Sequence, residues 1–223
     1  MEFLVCMIIG YLVGTVNPAY IFGKIKGLDI RKKGSGNAGA SNALMLFGKI
    51  TGALCAVIDI TKTVLVINLT THLFPHYTQA FAVTATCCII GHIFPFYMGF
   101  KGGKGLACLG GMILAFDWRV LLVMLFGELL ILLITKYLCF VPITGSCFFV
   151  AVYGIFTQDL FGTVILLLSA AVILTKHIEN LRRIASGTEM HISYLWNPEQ
   201  ELQRLAVNLK EDQTKVSAHF SSK

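Results

Sequence analysis

Gly99-Phe100-Lys101-Gly102-Gly103-Lys104-Gly105 sets two lysines among four glycines in mid-chain. Glycine leaves backbone N–H groups uncovered, and a nest of such groups beside ammonium groups is a phosphate site in physical terms. The same residues also suit a tight turn whose lysines mark one side of a membrane, so the motif alone leaves both readings open. A second block, Gly34-Ser35-Gly36-Asn37-Ala38-Gly39-Ala40-Ser41-Asn42, supplies hydroxyls and carboxamides without bulk. That suits phosphate or glycerol hydroxyls, and it also suits a connector or helix cap. Arg31, Lys32 and Lys33 just before it read as interfacial anchors. A third block, His177-Ile178-Glu179-Asn180-Leu181-Arg182-Arg183, places His177 and Asn180 at i, i+3, on one face of a helix. An imidazole and a carboxamide so placed can orient a hydroxyl, or can simply face water at a helix start.

Other polar residues read as structural. Asp59 and Lys62 share a helical face at i, i+3 inside an apolar run, where each is costly, so they are expected to pair and pin helices together. His92 reads as a hydrogen-bonder within a bundle, Pro95 as a kink, and Glu128 has no readable partner. The seven cysteines are odd in number, lie mostly in apolar runs and show no C-x-x-C spacing; they read as small buried hydrophobes, with neither a disulfide frame nor a metal site. No histidine is followed by Asp five residues later, and G-x-S-x-G, H-E-x-x-H and G-x-x-x-x-G-K-[ST] do not occur.

The elements that must position these residues are apolar. The chain is 56% hydrophobic and 13% charged with mean hydropathy +0.74, against roughly 25% charged in a soluble domain. It is therefore expected to be all-α and polytopic, because a hydrocarbon core of about 30 Å takes about 20 apolar residues per helix. Spans are predicted at about Phe3–Gly23, Ile50–Phe74, Gln79–Phe100, Gly105–Phe116, Arg119–Phe140, Val141–Thr157 and Leu160–Thr175. That makes about seven, the fourth being short, with a basic loop over about Lys24–Lys49 and a polar tail from Lys176. Gly10 and Gly14 form a small-xxx-small pair suited to close helix packing. The apolar start carries Glu2 and no basic n-region, which reads as a retained first span. With the N-terminus outside and the C-terminus cytoplasmic, 16 of the 18 basic residues fall inside, as the positive-inside rule requires. The net charge of +6 then reflects loops over anionic lipid and an anionic substrate, with no nucleic-acid partner. In this arrangement all three polar blocks reach the same face.

Those blocks resemble a known family, the bacterial acyl-phosphate:glycerol-3-phosphate acyltransferases (PlsY-type). The resemblance rests on Gly34 through Asn42, on Gly91 through Gly105, and on His177 through Arg183 with Gly187-Thr188-Glu189, in that order and spacing, from the first span to about Glu189. It implies one integral-membrane acyltransferase domain over residues 1–195, a polar cytoplasmic tail over 196–223, a bacterial cell membrane, and an active site on the cytoplasmic face. The implied reaction moves a fatty acyl group from acyl phosphate to the 1-hydroxyl of glycerol 3-phosphate, without acyl-CoA, cofactor or metal. Acyl phosphate is already activated, so positioning and charge stabilisation suffice. By resemblance, Lys104 and the Gly102 and Gly103 amides hold phosphate, with Lys101 and Gly105 beside them. Ser35, Asn37, Gly39 and Asn42 extend the cradle, and His177 and Asn180 orient glycerol 3-phosphate. Lys104, His177, Asn180 and Ser35 are the implied catalytic residues, and the phosphate of the donor accepts the hydroxyl proton. The implied partners are the two substrates, membrane lipids and other enzymes of phospholipid synthesis.

The sequence also departs from the family pattern. Met45 stands where the family usually has Arg, so a bidentate phosphate grip is lost. Cys139 and Pro142 stand where it tends to have serines, and Ser41 replaces a usual Thr. A weakly active or non-catalytic paralogue that binds a phosphate ester is therefore the rival reading. A small transporter using Asp59, Lys62 and Glu128 is a third, against which stands the lack of a visible inverted repeat. Mixed charge over about Glu199–Val216 predicts a solvated segment, at most a short surface helix.

Overall fold

The computed structural model describes residues 1–197 and 199–208. All its regular structure is helical: α1 (Glu2–Thr15), α2 (Pro18–Ile25), α3 (Ala40–Phe47), α4 (Lys49–Leu73), α5 (Ala80–Ile93), α6 (Leu106–Phe116), α7 (Trp118–Thr135), α8 (Phe140–Thr157) and α9 (Leu160–Ala185). Short 3₁₀ turns occupy Ile30–Lys32, Phe96–Met98 and Ile192–Leu195, and a last helix covers 199–208.

Six stretches are long and apolar enough to cross a membrane, α1 and α2 counting together as Glu2–Ile25. At 11 residues α6 is shorter, reaching roughly 16 Å at 1.5 Å per residue. Of the residues of α7 only Met124 is buried, so that helix offers most of its surface to lipid. Lipid tails are as apolar as leucine, so close packing rather than water exclusion draws such helices together. The small residues of α1 serve that end. A Cβ on Gly10 would lie 2.7 Å from the Thr84 carbonyl oxygen, and one on Gly14 would strike the backbone of Cys88. Here α1 and α5 touch backbone to backbone, as the Gly10/Gly14 spacing predicts.

Two spans differ from expectation at prolines. The first breaks at Val16, and α2 restarts with Asn17 as N-cap and Pro18 in its first turn. Pro18 has no N–H to give the Gly14 carbonyl four residues back. The Lys62 ammonium takes that carbonyl at 3.0 Å and the Val16 carbonyl at 2.5 Å. Pro95 ends α5 rather than kinking it, and the chain continues as the Phe96–Met98 turn. Beyond Thr175 the helix does not stop: α9 runs on to Ala185 and carries His177 and Asn180 on its own ladder. The tail is not free of the bundle either, since Glu201 of the 199–208 helix is buried. The Glu199–Val216 stretch, expected to be solvated, is helical over 199–208, and its part from residue 209 lies outside the described residues.

Candidate active site

The glycine loop lies across the end of α5. Gly102 donates its amide to the Ile93 carbonyl at 3.0 Å and Gly103 to the His92 carbonyl at 3.1 Å. Both amides are therefore spent, which corrects the expectation that they face a phosphate. Glycine is needed here for close approach: a Cβ on Gly102 would fall 2.6 Å from Cδ of Pro95, and one on Gly103 would run into the His92 ring. Gly105, at φ +88°, turns the chain into α6. Lys101 is exposed.

Beneath this loop lies an ionic cluster. Lys62 Nζ sits 2.6 Å from Asp59 Oδ1, with His92 Nδ1 3.2 Å from the same oxygen and 3.1 Å from Nζ, all buried. The pairing agrees with the structural reading of Asp59 and Lys62. Asp59, His92 and Cys108 place one donor atom each within 4.8 Å, a grouping a metal could use. The Lys62 ammonium already stands on that carboxylate and on the end of α1, so the cluster carries its own cation and does not fit a metal.

Lys104, at the head of α6, donates to Asn180 Oδ1. Asn180 Nδ2 donates to Glu189 Oε1 at 2.6 Å, and Arg183 Nε donates to Glu189 Oε2 at 2.6 Å. Arg183 NH1 also reaches Glu179 at 2.7 Å. Burial, and then the Arg183 charge, lower the Lys104 pKa from its ordinary 10.5. An ammonium has three donors; among the described residues Asn180 is the only hydrogen-bond partner of this one. His177 is buried one turn before Asn180, with Nδ1 2.8 Å from the Ile173 carbonyl oxygen. A carbonyl only accepts, so Nδ1 carries a proton and Nε2 is the atom left for a ligand. Cys139 is the buried N-cap of α8. Burial, and then the Glu189 carboxylate, push its thiol up to about 11, with Lys104 and Arg183 acting the other way. One substituted position thus lies within reach of the site's charges.

The Gly34–Asn42 block is held differently. Asn42 is fully buried, its Nδ2 within 3.0 Å of the carbonyls of Ile30, Lys33 and Asn37 and its Oδ1 accepting from the Ser35 amide at 2.9 Å. Its carboxamide shapes the loop from within and is spent, which corrects its expected place on the ligand. Ser35 is exposed, Asn37 is half-buried, and the Asn17 Nδ2 fastens the loop at the Ala38 carbonyl. A Cβ on Gly39 would lie 2.7 Å from Asn37 Nδ2. Arg31 NH1 donates to the Met98 carbonyl at 2.5 Å, joining this block to the chain just before the glycine loop. Among the described residues no hydrogen bond joins Ser35 or Asn37 directly to Lys104, His177 or Asn180. Met45 is half-buried on α3, one turn beyond Asn42. Glu189 was visible only as part of the third block; its role depends on a turn that returns it to Asn180.

These contacts gather the ends of several helices. Lys104 to Asn180 joins the start of α6 to the end of α9, and the Ile192 amide meets the Lys136 carbonyl at the end of α7 at 2.8 Å. The family model described as glycerol-3-phosphate acyltransferase matches residues 4–187. The chain belongs to the glycerol-3-phosphate acyltransferase family. Membership makes it an acyltransferase and an integral membrane protein of several spans. A relative from Thermotoga petrophila named glycerol-3-phosphate acyltransferase is 34% identical over 83% of this chain and 94% of its own. One of the same name from Francisella tularensis subsp. mediasiatica is 37% identical over 83% and 91%. Among solved structures, PlsY (YgiH) in its glycerol 3-phosphate form superposes with a TM-score of 0.80 at 28% identity, covering 87% of this chain and 98% of that one. The lysophosphatidic acid form of the same family member gives 0.77 at 28% identity, over 87% and 97%.

Proposed function

We propose that this chain transfers a fatty acyl group from acyl phosphate to the 1-hydroxyl of glycerol 3-phosphate. The observation that carries the reading is the Lys104 ammonium, held by Asn180 at the head of α6 with donors to spare. Its lowered pKa signals incomplete compensation, and a phosphate dianion supplies the missing charge. Helix N-termini favour anions as well, so the α6 head takes over the part first given to the Gly102 and Gly103 amides. In this reading Lys101, Gly105, Ser35, Asn37 and Gly39 complete the substrate site, and Asn42 holds the 34–42 loop in shape.

In the reaction the 1-hydroxyl oxygen attacks the acyl carbonyl carbon, and the bond from that carbon to the phosphate oxygen breaks. The electron pair leaves with the phosphate, which takes up the hydroxyl proton. His177 Nε2 orients the hydroxyl, while Asn180, fixed between Lys104 and Glu189, keeps the cation where negative charge gathers. The gain comes from positioning and from charge already in place.

The same helix ends support seven passes. The ends of α2, α5, α7 and α9 and the starts of α4, α6 and α8 lie toward the site. Alternating passes then leave the N-terminus on the far side and residue 197 on the site side. Lysine and arginine crowd the site side, which supports reading it as the cytoplasmic face of a bacterial cell membrane.

The test is phosphate release by the protein in lipid with palmitoyl phosphate, with and without glycerol 3-phosphate. Release is expected to need glycerol 3-phosphate and to fall at least about a hundredfold in Lys104→Ala. Equal release by that variant overturns the site; no release by folded wild type overturns the reaction and favours the binding paralogue that Met45, Cys139 and Pro142 motivate.

A further inference from the structure

The 199–208 helix lies beyond residue 187, where the match to the family ends. It nevertheless touches the backbone that carries Glu189. Arg204 NH2 donates to the Glu189 carbonyl at 2.7 Å and NH1 to the Gly187 carbonyl at 3.2 Å, which also accepts from Asn208 Nδ2 at 2.7 Å. Gly187 has φ +71°, a left-handed conformation in which glycine costs nothing but also holds nothing. Its carbonyl is fixed by donors from the tail. The tail is braced in turn: Glu201, 4% exposed, pairs with Arg204 at 2.6 Å and accepts from the His191 amide at 2.8 Å and Ser193 Oγ at 3.2 Å. The His191 ring packs edge-on to Tyr137 with centroids 4.7 Å apart, which ties the segment to the loop before α8.

We propose that the 199–208 helix is a positioning clamp for the acyl-acceptor site: Arg204, assisted by Asn208, fixes the 187–189 turn, and Glu189 thereby holds Asn180 and Lys104 for glycerol 3-phosphate. The inference rests on the acyltransfer reading for its kinetics and on geometry alone for its second readout. Arg204 and Asn208 touch no substrate in this scheme. They act on the acceptor site through Glu189, so their loss shows first in KM for glycerol 3-phosphate.

The test uses the full chain in lipid, comparing wild type with Arg204→Ala, Arg204→Lys, Asn208→Ala, Glu189→Gln and Arg204→Ala/Glu189→Gln. One hydrogen bond to a charged donor corresponds to about ten- to a hundredfold. Acting at one remove, Arg204→Ala is expected to raise KM for glycerol 3-phosphate about fivefold with kcat within about twofold. Arg204→Lys, which retains the charge but not the fork, recovers part of this, and Asn208→Ala gives about a twofold rise. The double variant is expected to match Glu189→Gln alone. Unchanged KM in Arg204→Ala, a loss confined to kcat, or full additivity with Glu189→Gln overturns the clamp. Labelling of Lys104 by a water-soluble amine reagent, followed by mass spectrometry, is the second readout. Its rate is expected to rise several-fold in Arg204→Ala while buried Lys62 stays unlabelled; no rise overturns the clamp whether or not the wild type turns over. If Lys62 becomes reactive the alanine variant has lost its fold, and Asn208→Ala and Arg204→Lys decide by the same criteria. A wild type without turnover refutes the acyltransfer reading alone.

Discussion

The molecule contains two ionic clusters of similar composition and opposite character. Asp59, Lys62 and His92 are all but sealed, and the Lys62 ammonium is saturated by a carboxylate, an imidazole and two carbonyls at the break between α1 and α2. Lys104, Asn180, Glu189 and Arg183 form a chain whose far end is Lys104, with a single hydrogen-bond partner among the described residues. A closed cluster holds helices together, whereas an open one can complete itself with a ligand. The difference lies in what surrounds each lysine, since both belong to conspicuous local patterns.

Breaking each cluster at its lysine separates the two roles. Lys62→Met leaves the Asp59 carboxylate without its principal cation and the Gly14 and Val16 carbonyls unmet. Loss of one partner of a buried pair corresponds to about 3–5 kcal/mol, so thermal unfolding in detergent is expected to fall sharply, or the variant fails to accumulate. Lys104→Ala is expected to leave that midpoint near wild type while phosphate release collapses. Loss of stability in Lys104→Ala equal to that of Lys62→Met would erase the distinction. A smaller change sharpens it from the other side. Met45→Arg restores a cation one turn beyond Asn42, and is expected to lower KM for glycerol 3-phosphate about three- to tenfold. An unchanged KM would mean that the α3 position of Met45 lies outside reach of the phosphate.

The smallest effect is one of pH. A lowered Lys104 pKa means that the ammonium is lost, and with it the attraction for phosphate, before an ordinary lysine at 10.5 would titrate. kcat/KM for glycerol 3-phosphate, which reports the free enzyme, is therefore expected to fall on the alkaline side with a midpoint below 10.5. The sign is fixed by burial and Arg183, both of which favour the neutral amine. A midpoint at or above that of an exposed lysine would show that Lys104 is better compensated than its contacts indicate.

Much of the site was legible because it obeys short-range geometry. His177 and Asn180 share a helix face at i, i+3 wherever the helix lies, and Lys104 stands beside glycines that mark a tight approach. What was illegible depended on how loops and helix ends fold back on themselves. Asn42 looks like a ligand group in sequence but turns inward onto three carbonyls. The Gly102 and Gly103 amides look free until α5 ends under them and takes both. Charged residues in the tail suggested solvation, yet Glu201 and Arg204 satisfy each other and the backbone of the 187–189 turn. The local signal for the break in the first span is Asn17-Pro18, an N-cap followed by proline, set within an apolar run.

The sequence by itself determined that this is a helical membrane protein of several spans. Hydrocarbon forces each backbone to satisfy itself within its own segment, so span length and hydropathy can be read locally. It also determined which side chains could do chemistry, through spacing within single helices and turns. Only the tertiary structure decided which of those polar groups remain unspent. A donor is available to substrate when no other part of the chain has claimed it, and the claimants of Asn42, Gly102 and Gly103 lie across loops and helix ends that no local pattern records.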